Sequence, residues 1–271
     1  MGISKRLEQA RRGYTNHDKT ASASAHNPDY IAEVYRDASE EHGGSGSKYI
    51  GDFIFGGLDG IITTFAVVSG VVGADLGSSV ILILGLANLF ADGFSMAVGA
   101  YLSSKSEDEY FQKERQRELW EIEHFPAGEK AELHEIYLHK GYSPEEADQM
   151  LAIQTRSKER WVSAMMIDEL GMMEDDRSPV TSGVITFVAF LIAGTVPLVV
   201  YIVGLFLPIS SDQAFAISIL LSGIALFCLG AGKVFVTRQN PIRSGLEMLL
   251  VGGLAAGVAY AVGALLRSLG L

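Results

Sequence analysis

The sequence predicts an all-α membrane protein: five transmembrane helices, with an acidic three-helix module inserted between the second and third spans. Three observations predict it. Five apolar runs are each long enough to cross a bilayer core, which takes about 20 residues of helix. Charge lies almost wholly outside those runs, in residues 1–48, 104–178 and 237–243. Between residues 104 and 176 there are 19 acidic and 9 basic residues, so this one segment holds nearly all of the net charge of −11.

The chain divides accordingly into a polar tail (1–48), spans one and two (49–103), the module (104–178) and spans three to five (179–271). The tail is expected to be largely disordered, with Gly43-Gly44-Ser45-Gly46-Ser47 as a flexible link. Pro28 to Glu41 can form a short helix with Ile31, Val34 and Tyr35 on one side. The tail lacks the apolar core of a secretory signal. The apolar runs cover about residues 52–73, 80–103, 181–206, 213–236 and 245–267. Gly56 to Gly60 and Gly253 to Gly257 repeat a small residue at four-residue spacing, which permits close helix approach in lipid.

Orientation follows from Lys and Arg in the loops. The loops at 73–79 and 207–213 carry none. The tail, the module and the loop with Lys233, Arg238 and Arg243 carry many, so that side is the expected cytoplasmic side. The C-terminus then lies outside, with Arg267 as the exception. A bacterial plasma membrane is the expected location.

The module reads as three helices. The first continues the second span to about His124 and breaks at Phe125-Pro126-Ala127-Gly128. The second runs from about Glu129 to Lys140. The third starts at Ser143, Pro144 and Glu146, a capping-box pattern, and is expected to reach about Met173. An acidic surface attracts cations and disfavours nucleic acid. One cysteine, Cys228, excludes an internal disulfide and a cysteine metal cage.

Carboxylates inside spans are costly and mark candidate functional sites. Asp52 and Asp59 sit two helical turns apart, about 10 Å, on one face of the first span. Asn88, Asp92 and Met96 align at four-residue steps in the second. A thioether beside oxygen donors favours softer transition ions over Mg²⁺ or Ca²⁺. In the module, Glu118 with Glu121 and Glu129 with Glu132 each project two carboxylates from one helical face. That spacing suits a solvated charged face or a cation site, and carboxylate sites in helical bundles use it. Met165 and Glu169, four residues apart, likewise share a face and offer sulfur beside a carboxylate. Glu121 and His124 form a lone Glu-x-x-His, too little to indicate a di-metal oxidase, so no enzyme is expected.

Several of these pieces occur together in one known family. Gly51-Asp52 with Gly56-Gly57-Leu58-Asp59-Gly60, then Ser95 to Leu102, then Lys105-Ser106-Glu107, the spaced glutamates, and Met165-Met166 with Glu169-Leu170-Gly171 resemble the vacuolar iron transporter family of ferrous iron and manganese transporters. The resemblance runs from about Asp52 to the end. It implies a homodimer with the ion path at the dimer interface, lined at Asp59 and Met96, with Asp52 near the cytoplasmic mouth. It further implies that Glu118, Glu121, Glu129, Glu132, Met165 and Glu169 are a cytoplasmic metal-binding set. Better-known members carry glutamate where this chain has Asn88. Asn88 cannot exchange a proton, and Asp92 is the carboxylate next in line. The expected function is export of Fe²⁺ or Mn²⁺ in exchange for protons, with these ions as cargo rather than cofactor. The other reading is a membrane-anchored metal sensor or buffer.

Overall fold

The computed structural model describes residues 9–10, 12–14, 16–31, 47–233 and 240–270. Most of the expected Pro28–Glu41 helix, and Arg238, lie outside these residues. The described elements are helices, and no strand occurs among them. A short helix, α1 (Lys19–Ala25), lies in the described part of the tail.

The first span is α2 (Ile50–Gly73). Asp52 lies in its first turn, where a carboxylate meets the positive end of the helix dipole. Asp75 adopts a left-handed φ of 59° just beyond it and turns the chain. The second span belongs to α3 (Ser78–His124), one unbroken helix of 47 residues. At 1.5 Å per residue it is about 70 Å long, more than twice the hydrocarbon thickness. The lower half therefore stands outside the membrane as the first helix of the module.

The module continues with α4 (Pro126–His139) and α5 (Pro144–Gln154). Both halves of the expected capping box form: the Glu146 N–H donates to Ser143 Oγ, and the Ser143 N–H donates to Glu146 Oε2 at 2.8 Å. The third module helix does not run on to Met173. It stops at Gln154, restarts as α6 (Lys158–Ala164), and widens into a π turn over Met165–Glu169. Two local bonds explain the break. The Thr155 hydroxyl donates back to the Leu151 carbonyl, and Ser157 supplies a new N-cap for Arg160. Gly171, at a φ of 65°, ends the turn.

The third span is α7 (Pro179–Thr195), a 3₁₀ turn at Val196–Leu198, and α8 (Val199–Val203). Pro197 has no N–H to donate, which suits it to the change of helical form. The fourth and fifth spans are α9 (Ser211–Gly232) and α10 (Pro241–Ser268). All five spans are long and apolar enough to cross a membrane.

Helix α2 is the central span and packs on α7, α10 and α3. Gly56 and Gly60 make the α7 contact possible. A Cβ at either would stand 2.5 Å from a backbone oxygen, that of Thr186 or of Phe190. The Gly253–Gly257 pair behaves differently: a Cβ on either meets nothing within 4 Å in this chain. The packed small stripe of α10 is instead Gly252, Ala256 and Gly263. Arg267 near the end of α10 pairs with Asp75 in the loop after α2, so those two ends share one side of the bundle.

Candidate metal centre

The module has its own core. Phe111 and Ile122 of α3, Leu133 and Tyr137 of α4, Ala147 of α5, and Trp161, Val162 and Met165 beyond it are buried together. This core clamps the lower half of α3 against α4 and the π turn. Glutamates on those three elements consequently converge.

Glu118, Glu121 and Glu129 each place a carboxylate oxygen within 4.8 Å of the others'. Around a small divalent ion with metal–oxygen bonds of about 2.1 Å, opposite ligands stand about 4.2 Å apart. A modest contraction would therefore let one ion touch all three. Glu118 is 1% exposed and Glu129 is 6% exposed. Both oxygens of Glu118 and Oε2 of Glu129 lack a hydrogen-bond partner. A buried, unsatisfied carboxylate costs several kcal/mol unless a charge compensates it. Burial first, then the nearby Glu169, Glu121 and Glu132, pushes Glu118 up to about 7. Burial first, then Glu118, Glu132 and Glu121, does the same to Glu129. Glu132 and Glu169 are more exposed and form the rim of the group.

Met165 shares the π turn with Glu169 and is fully buried in the module core. The turn's wider backbone is a known companion of functional sites. His124 does not join the glutamates: its ring stacks on Trp120 at 4.4 Å and its Nδ1 meets the Trp120 carbonyl.

One resident cation was not expected. Arg117 reaches Glu114 at 2.8 Å, Glu118 at 2.6 Å and Glu121. The Glu118 contact is a close charge approach without hydrogen-bond alignment, as both Glu118 oxygens remain unpartnered. Arg117 lies between Glu114 and Glu121 at helical spacing, so this signal was available in the sequence.

In the membrane, Asp59 of α2 and Asp92 of α3 lie close enough for their charges to interact. Both are partly buried, and Nδ2 of Asn88, one turn above Asp92, is buried without a partner. Met96, a turn below Asp92, packs on the core of the spans. Asp52 lies apart from this pair, in a cavity of about 270 Å³ shared with Ser103, Ser104, Glu107, Arg177 and Ser182. A second cavity of about 300 Å³ adjoins it through Glu107 and includes Met172, Met173 and Asp175. Neither Glu107 nor Arg177 stood out as a site residue in the sequence. The contacts that reveal them join distant segments and have no local period.

Fold and side chains together define a class: a five-span helical membrane protein with carboxylates along the inner spans and a carboxylate cluster in its module. Within that class, residues 50–264 match the VIT family, and the chain belongs to it. It is 42% identical over 267 residues to a vacuolar iron transporter of Toxoplasma gondii, covering 96% of this chain and 88% of the relative. It is 35% identical over 272 residues to the vacuolar iron transporter of Plasmodium falciparum, covering 98% of each. Vacuolar iron transporter 1 of Arabidopsis thaliana is 32% identical over 223 residues, covering 82% of this chain and 87% of the relative. The family resemblance read from the sequence is borne out, and the chain is a membrane protein of a metal-transporter family.

Proposed function

We propose that the chain exports Fe²⁺ or Mn²⁺ from the cytoplasm in exchange for protons, working as a homodimer. The observation that carries this reading is the convergence of Glu118, Glu121 and Glu129, of which Glu118 and Glu129 are buried and keep oxygens without a hydrogen-bond partner. It sits on the same unbroken helix, α3, as Asn88, Asp92 and Met96. From Met96 to Glu118 is roughly 33 Å along that helix. Capture in the module and passage through the spans are thus tied to one rigid element.

The roles follow from the chemistry. Glu118, Glu121 and Glu129, with Glu132, Glu169 and Met165, take up the ion on the cytoplasmic side. Asp52 receives it at the mouth. Asp59, Asp92 and Met96 hold it within the spans, with Asn88 as a neutral oxygen donor. Binding a cation favours ionised carboxylates, so loading releases protons and reprotonation helps release the ion. Oxygen ligands with a thioether suit Fe²⁺ and Mn²⁺ alike. The loop charges put the module in the cytoplasm and the C-terminus across the membrane. A bacterial plasma membrane and a vacuolar membrane both fit this orientation; the relatives' names favour a vacuolar one.

The test is uptake of Fe²⁺ and Mn²⁺ into proteoliposomes holding the purified protein, with and without a pH gradient. The proposal expects uptake that grows when protons run the opposite way. A sensor or buffer would bind metal and carry no flux at all, and that result would overturn the transport reading.

A further inference from the structure

Arg177 lies in the linker from the module to the third span, two residues before Pro179 opens α7. Its guanidinium faces three carboxylates from three segments. Nε donates to Asp175 Oδ2 in the linker at 2.6 Å. One terminal nitrogen stands 3.9 Å from Asp52 Oδ1 of α2, and the other 3.7 Å from Glu107 Oε2 of α3. All but Asp175 line the 270 Å³ cavity at the mouth. The other oxygen of Asp52 is buried and has no hydrogen-bond partner.

These distances differ in kind. The Asp175 contact is a short, charge-assisted hydrogen bond. The other two are too long for good hydrogen bonds and act through charge alone. Arg177 can therefore swing away from Asp52 and Glu107 while keeping its Asp175 bond. A divalent ion at Asp52 has twice the charge of the guanidinium and can displace it.

We infer that Arg177 is a tethered counter-ion at the mouth: it holds Asp52 and Glu107 while no metal is there, and withdraws toward Asp175 when a divalent ion arrives. It is a positioning residue that sets the concentration at which ions enter. The inference rests on the transport reading, with Asp52 at the entry.

Mn²⁺ flux into proteoliposomes, measured over a range of concentrations, tests it. Arg177→Gln removes the competitor and should lower KM about threefold to fivefold, the range of a partly exposed ion pair. Arg177→Lys keeps the charge and should keep KM near the wild-type value. Asp175→Asn removes the parking partner and should raise KM, whereas Arg177→Gln/Asp175→Asn should match Arg177→Gln alone. A merely structural Arg177 would instead lower the maximal rate in both single Arg177 variants without lowering KM. A KM in Arg177→Gln that is unchanged or raised overturns the inference while leaving transport standing. Should that variant fail to fold, an unchanged KM in Asp175→Asn overturns it equally. Absence of flux from the wild-type protein overturns the transport reading, and this inference falls with it.

Discussion

Glu118 is a carboxylate held where water does not reach, with a value pushed up to about 7. Two outcomes follow at this scale. Metal binding to the module should weaken as pH falls through about 7, because the ion must displace protons from Glu118 and Glu129. Calorimetry with Mn²⁺ at pH 8 and pH 6 should show at least a tenfold loss on acidification, an order-of-magnitude expectation for about one displaced proton over two units. A pH-independent affinity would contradict it. The second outcome concerns metal-free protein. The folded value lies above the ordinary carboxylate value of 4.5. The folded state therefore binds more protons between 4.5 and about 7, and stability falls as pH rises through that window. Glu118→Gln abolishes this penalty, so at pH 8 the metal-free variant should melt above the wild type, by about 1–3 kcal/mol in stability.

At the scale of elements, α2 can lie against α7 only because Gly56 and Gly60 carry no Cβ. Gly60→Val should cost about 2 kcal/mol or more, since the obstacle is backbone and cannot rotate away. Gly253→Ala should stay within about 0.5 kcal/mol, as nothing in the chain stands near it. Thermal melts in detergent check both, and a loss at Gly253 would put a second copy of the chain against that stripe. The two glycine pairs have the same spacing in the sequence, yet only one is packed within the chain. Spacing reports what a helix face permits, and the neighbouring helix decides whether it is used. Helix starts were more legible than helix continuity. The Ser143 capping box is local, and it formed. The break at Thr155–Ser157 is not legible in the sequence, because the apolar pattern on either side is compatible with one helix. The π turn at Met165 left no separate mark.

For the whole molecule, the five spans were legible because membrane thickness imposes one length on every apolar run, and length survives in sequence. The glutamate spacing pointed to the module, but not to which residues are buried. That depends on where the core of Phe111, Leu133, Tyr137 and Trp161 seats α4 against α3. Arg117 was readable from its helical neighbours. Arg177 was not, because its partners Asp52 and Glu107 come from other helices. The approach of Asp59 to Asp92 likewise needed the fold, and it sets two carboxylates near the neutral Asn88. The proposed transport requires a divalent ion to cross the membrane past Asp59. The most direct measurement is Fe²⁺ and Mn²⁺ flux in proteoliposomes under an imposed pH gradient, comparing the wild type with Asp59→Ala. Gradient-driven flux is expected in the wild type and a loss of about tenfold or more in the variant, since alanine offers no charge to replace an intramembrane carboxylate. Equal flux from the two proteins would contradict it.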